Sequence, residues 1–263
     1  MTAVFLKVIG LEFENFLCKR YPWIFTAFYA LFTVLVCLFP GFRQSYFSDI
    51  DSVTVMLMNF IAPVVLAVIL ISTLSAAFAG DREKSVCQIP MTCLIGRKGR
   101  SAAKVLAAVF SGVFMCMVIS VTAFIIPFCF GLFDGDMIIK YVGTELRINI
   151  EWSVWQHFGF SVLCLIIGCI FLSFFILFVS CCAGSAIEAV SISSIFMLFE
   201  ILFNRYSFPA IVREYNIWVL FQPYYFFVMS ILDSCPVMNF LFLTVLFLPA
   251  VIIEAVHIIK NGT

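Results

Sequence analysis

Charged side chains are scarce in this sequence: they make up 11% of its residues, against 64% hydrophobic, and mean hydropathy is +1.15. A soluble domain carries about 25% charged residues, so the shortage excludes one and marks a polytopic integral membrane protein. Lysine plus arginine balances aspartate plus glutamate at 15 each, and this lack of net charge leaves nothing to attract nucleic acid or an acidic partner. Histidine is nearly missing. His157 and His257 are the two present, and the topology below puts them on opposite sides of the membrane, which excludes a paired-histidine metal site. No Gly-x-x-x-x-Gly-Lys-Ser/Thr phosphate loop occurs and no soluble region is large enough for an ATPase, so no nucleotide site is expected on this chain. No Ser, Cys or Asp stands in a nucleophile pattern beside a base, and an enzymatic role is not expected. Internal repeats and low-complexity tracts are absent. A cleaved signal peptide is not expected either, since Lys7, Glu12 and Glu14 interrupt the first apolar stretch.

Cysteine is plentiful, at 11 residues, yet Cys37, Cys116, Cys129, Cys164, Cys169, Cys181 and Cys182 lie inside apolar runs at no metal-ligand spacing. They read as small core residues rather than a disulfide framework. Six membrane spans follow from hydropathy, roughly 22–40, 55–78, 103–131, 158–182, 186–204 and 236–258, each near the length of about 20 residues that a bilayer requires. Ahead of them, residues 1–20 are too polar to span. Val4, Phe5, Val8, Ile9, Phe13, Phe16 and Leu17 recur at helical spacing, with Lys7, Glu14 and Lys19 off that face. The pattern is an amphipathic helix, lying in the membrane interface or packed on the protein's own surface. With the amino terminus inside, Lys7, Lys19, Arg20, Arg82, Lys84, Arg97, Lys98, Arg100, Lys104 and Lys260 are cytoplasmic. Arg43, Lys140, Arg147, Arg205 and Arg213 remain outside, so the charge rule favours both termini in the cytoplasm.

Two loops stand out. In 132–157, Leu146, Ile148, Ile150 and Trp152 alternate with Arg147, Asn149 and Glu151, a strand period that Ile138 to Val142 could partner in a small external hairpin. Residues 217–232 are apolar and aromatic but short, and Gln222-Pro223 breaks them. A re-entrant helical segment within 205–235, dipping in from the outer face, fits better than a seventh span.

Six of the fifteen Lys and Arg residues gather between Phe78 and Leu106. Asp81, Arg82, Glu83 and Lys84 open this stretch; Val86, Ile89 and Cys93 share one side at i, i+3, i+7; Arg97 and Lys104 close it. The order resembles the loop between the second and third spans of type-two ABC permeases, also called type V exporters. That loop begins with acidic-x-Glu-Lys-Gly-Thr, continues through Pro-x-Ser-Arg, and ends on a Lys opening the next span. Ser85 and Val86 replace the Gly-Thr pair here, Leu94 stands where Pro is common, and Gln222-Pro223 sits where the family often has Asn-Pro.

The resemblance implies a single all-α membrane domain over 1–263. It would comprise an interfacial helix (1–20), six spans, a cytoplasmic coupling helix in 78–104, an extracellular loop (132–157) and the re-entrant segment. Asp81, Arg82, Glu83, Lys84, Val86, Ile89, Cys93 and Arg97 would couple it to a separate ATPase subunit in two copies. ATP and Mg would bind there, and two copies of this chain would pair. Within the spans, Glu188 and Glu254 fall near inner ends, where pairing with His257, Lys104 or Lys260 is expected. Glu200, with Arg205 and with Gln222 and Pro223, is the candidate pathway or gate. Few polar groups are available to hold a sugar or ion, which points to a hydrophobic or amphipathic substrate: a peptide, toxin, antibiotic or lipid. The small permease resembles bacterial peptide and drug exporters, including those of phenol-soluble modulins. The one sequon, Asn261, falls on the cytoplasmic side, which is compatible with a bacterium. Two other classes remain open, an ATP-independent channel or secondary transporter and a membrane anchor or scaffold.

Overall fold

The computed structural model describes residues 2–39, 52–83, 92–136, 152–205, 220–221 and 236–261. Its regular elements are all helical: α1 Thr2–Leu17, α2 Arg20–Leu38, α3 Val53–Met56, a π turn Leu57–Ile61, α4 Ala62–Leu74, α5 Ala76–Glu83, α6 Thr92–Cys129, α7 Val154–Cys182, α8 Ala186–Arg205 and α9 Pro236–Asn261. Five stretches are long and apolar enough to cross a membrane: Arg20–Leu38, Val53–Asp81, Lys98–Cys129, Val154–Cys182 and Asn239–Lys260. The protein is therefore an all-α, membrane-embedded chain. The fifth expected span, 186–204, coincides with α8, which is 20 residues long and carries Glu188 and Glu200.

Helix α7 is the hub, packing on α4, α5, α6, α8 and α9. Its start was expected near residue 158, but the helix begins at Val154. Ser153 caps it, its hydroxyl accepting from the Gln156 N–H at 3.3 Å while the Gln156 side chain accepts from the Ser153 N–H at 3.0 Å. Such a reciprocal box satisfies two donors that a helix start leaves orphaned. Trp155 and His157 are thereby helical rather than part of the outer loop. The expected hairpin strands, Ile138 to Val142 and Leu146 to Ile150, lie outside the described residues.

The amphipathic expectation for the amino terminus holds in its packed form. Helix α1 lies along α6, Phe16 is buried, and the Phe13 and Phe114 rings meet edge to face at 6.2 Å. The cysteines divide: Cys37, Cys116, Cys164, Cys169 and Cys181 are buried, whereas Cys129 and Cys182 are exposed and do not belong to the core. Both sit at the last residue of a helix, where the apolar run continues but neighbouring helices no longer cover it.

Contacts between helix ends set the arrangement. The Lys19 ammonium donates to the Thr73 carbonyl at 2.5 Å, bringing the start of α2 level with the end of α4. Asp81 pairs with Lys104, and Cys182 Sγ lies 3.9 Å from His257 Nε2. At the other end Phe124 packs on Phe133, Trp155 and Phe158 at 4.9–5.8 Å, and Phe160 meets Phe240 at 5.6 Å. One end of the bundle thus gathers Lys19, Arg20, Lys98, Arg100, Lys104 and Lys260, while the aromatic end carries Asp134 and Asp136.

Candidate functional site

The second span is divided near its end. Its helix breaks at Ser75, and α5 leaves as a short separate rod. The break has an identifiable cause, because neighbouring side chains take over backbone groups that would otherwise close the helical ladder. The N–H groups of Phe78 and Ala79 donate to Ser180 Oγ of α7 at 3.0 and 3.2 Å. From α6, Lys104 donates to the Ala77 carbonyl at 2.5 Å. Small side chains allow the close approach: Ala79, Val179, Ala183 and Ala189 pack together where α5, α7 and α8 meet.

Lys104 is the centre of this elbow. Its side chain is only 5% exposed, yet it is a cation, and three features make that tolerable. Its ammonium donates to Asp81 Oδ2 as well as to Ala77, and it lies over the Phe78 ring at 5.2 Å from the centroid. Asp81 Oδ2 also accepts from Arg100 Nη2 at 3.2 Å. A buried charge is stable only when paired and hydrogen-bonded in this way. The cluster fastens the end of α5 to Arg100 and Lys104 of α6, and Ser180 fastens α5 to α7. It is a clasp at the root of the segment 84–91.

Several sequence readings change here. Within 78–104, residues 78–83 end α5 and α6 begins at Thr92, broken only at Gly96, while 84–91 lie outside the described residues. Gly96 has φ +72° and ψ 164°, a conformation open essentially to glycine alone. Arg97 consequently opens the long helix instead of closing the coupling rod. Asp81 and Glu83 lie in the last turn of α5. The dipole does not favour acids there, and Asp81 is held by the two cations of α6 instead. Lys104 pairs with Asp81 rather than with Glu254. Glu188 needs no cation: its carboxylate accepts from the Gly184 N–H at 2.8 Å and its own N–H donates to Ser185 Oγ at 3.2 Å, capping α8. His257 meets Cys182 and the Phe178 ring.

Of the expected coupling residues, Asp81 alone is described with its side chain. Arg82, Glu83, Cys93 and Arg97 are described as helical backbone, and Lys84, Val86 and Ile89 lie outside the described residues. Glu200 is half-buried on α8, Arg205 ends that helix, and Gln222 and Pro223 lie outside the description. The two residues just before them are informative. Leu220 and Phe221 are fully buried, and a Cβ placed on Gly168 would fall 2.9 Å from the Phe221 ring. Gly168 is midway along α7. Lys104 was singled out from sequence as the Lys that opens the third span, but Arg100 and Ser180 were not. The i, i+4 spacing of Arg100 and Lys104 marks one helix face and was a usable signal; Ser180 had none.

Neither a protein-family model nor a curated protein matches the chain.

Proposed function

We propose that this chain is the membrane-spanning subunit of an ATP-driven exporter in a bacterial plasma membrane. Two copies pair, and each engages a separate ATPase subunit that binds ATP and Mg. The cargo is hydrophobic or amphipathic, a peptide, toxin, antibiotic or lipid, and Glu200, Arg205, Gln222 and Pro223 are the candidate pathway or gate residues.

The observation that carries this reading is the clasp of Asp81, Arg100 and Lys104 with Ser180. A force-transmitting segment must be stiff at its root, or a push on it would only fold the loop. Here α5 is tied at Asp81 to Arg100 and Lys104 of α6 and at Phe78 and Ala79 to Ser180 of α7, so a push that reaches α5 is passed to both neighbouring helices. A loop that merely sets topology needs cations; it does not need one buried and neutralised at two acceptors. The cationic end of the bundle is the cytoplasmic end on the same rule, which puts both termini inside.

The ends of the helices support a reading of six crossings. The chain is at the cationic end at Cys182, beside His257, and at the aromatic end at Phe240, beside Phe160. An odd number of crossings must lie between, and α8, about 30 Å long at 1.5 Å per residue, supplies one. Phe221 against Gly168 supports a re-entrant segment within 205–235, because non-helical backbone at that depth requires protein cover.

The test is purification of the full chain in mild detergent, followed by transport in vesicles. An ATPase with a phosphate loop is expected to co-purify, and Glu83→Lys is expected to abolish ATP-driven transport while the chain still reaches the membrane. ATP-driven transport that survives Glu83→Lys would refute the coupling role. Transport with no ATPase bound would establish a channel or secondary transporter, and absence of both would leave an anchor or scaffold.

A further inference from the structure

At the corner where α1 turns into α2, an open groove of about 710 Å³ lies on the cationic end of the bundle. That is within the ~300–1,000 Å³ of small-ligand sites. Its charged walls are Lys19 and Arg20, and no carboxylate lines it. Lys19 is held in place by the Thr73 carbonyl and lies 5.5 Å from the Phe16 ring centroid. Arg20 is exposed, with no acidic partner among the described residues. Trp23 forms a further wall, its indole N–H tied to the Leu17 carbonyl at 2.8 Å, so the ring is oriented before anything binds.

The other side of the groove is apolar and continues beyond it. Ile24 and Ala27 line its floor. From Ile24 an exposed stripe runs along α2 through Phe28, Leu31 and Leu35, which are 46%, 65%, 56% and 44% exposed. These positions are at i, i+4, i+7 and i+11, one face of a membrane-crossing helix. A small soluble anion would use the two cations and leave this stripe bare. A phospholipid uses both, with its phosphate against Lys19 and Arg20, its glycerol region beside Trp23, and its chains along the stripe. Tryptophan at the headgroup level and basic residues at the cytoplasmic face match that partition.

We propose that this corner is a binding site for one anionic phospholipid, its headgroup phosphate held by Lys19 and Arg20 and an acyl chain laid on Ile24, Phe28, Leu31 and Leu35. The site anchors the joint between the surface helix α1 and the first span. It stands on the groove and its charges, whatever the chain transports.

The experiment places the full chain in nanodiscs that contain phosphatidylcholine doped with phosphatidylglycerol bearing a quencher on its acyl chain. Tryptophan fluorescence is read with Trp23→Phe as the control that assigns the signal. Labelled phosphatidylglycerol is expected to quench Trp23 at a lower mole fraction than labelled phosphatidylcholine, and Arg20→Gln to weaken that preference about fivefold. Inorganic phosphate at millimolar concentration is expected to leave the quenching unchanged. Equal quenching by the two lipids, or an unchanged preference in Arg20→Gln, would overturn the site. Displacement by phosphate would overturn the lipid assignment and leave a site for a soluble anion. Arg20 is exposed, so its substitution removes no packing, and size-exclusion profile and circular dichroism check that the variant is folded.

Discussion

Lys104 and Asp81 form a pair whose two halves are not equivalent, and the asymmetry has a measurable consequence. The Lys104 side chain is 5% exposed, whereas Asp81 is 31% exposed and also holds Arg100. Asp81→Asn strands the more deeply buried charge, a loss of about 3–5 kcal/mol by the range for breaking buried pairs. Lys104→Met leaves a carboxylate that water reaches and Arg100 still neutralises, and it strands the Ala77 carbonyl, for about 1–3 kcal/mol. The double variant removes both charges together and should cost less than the sum of the singles by more than about 1 kcal/mol. The assay is reversible unfolding in mixed detergent and denaturing micelles, followed by helical circular dichroism, on all four proteins of the cycle. Equal losses for the two single variants, or additivity within about 0.5 kcal/mol, would refute the idea that this pair carries the elbow.

Gly168→Ala should lose about 1–3 kcal/mol by overpacking, because its new methyl falls 2.9 Å from the Phe221 ring; Phe221→Leu in the same chain should recover part of it in the same assay. Gly96→Ala meets nothing within 4 Å but is forced into φ +72°, so a loss of about 1–3 kcal/mol is expected from strain alone, read as a lowered unfolding midpoint. Ser153→Ala removes the cap of α7 and should cost about 1 kcal/mol, with slower amide-exchange protection lost first in the turn that follows. Single-cysteine variants test orientation in intact cells: a membrane-impermeant maleimide should label Cys129 from outside and leave Cys18 and Cys182 unmodified until the membrane is opened.

Class and helix positions were legible in the sequence because membrane insertion is governed by a local sum, the transfer free energy of about 20 successive residues. Hence the first, second, fourth and sixth expected spans match helices to within a few residues. The amphipathic face of α1 and the buried cysteines of α7 were equally readable, since each is a matter of spacing along one helix. Errors came at element ends, where short polar signals outweigh hydropathy. Ser153 with Gln156, and Ser185 with Glu188, are capping patterns present in plain sight, and using them would have placed the start of α7 and explained Glu188. Gly96 hid in a similar way. Hydropathy treats it as neutral, yet its positive φ makes it the joint that separates Arg97 from the rod before it.

Which partners the polar residues find is a different kind of question. Lys104 is within reach of several acids when only the order of the spans is known, and the sequence pointed to Glu188 or Glu254 as its partner, not to Asp81. The choice depends on how far each helix is rotated about its axis and which helix stands beside it, and packing against α7 sets both. The same packing brings Ser180 to the backbone of Phe78 and Ala79, about a hundred residues away, and seats Phe221 on Gly168. Composition and periodicity therefore decided that the chain enters a membrane and where its helices form. Only the assembled bundle decided which charges cancel, because cancellation needs two groups within a few ångströms and no one-dimensional pattern encodes that distance.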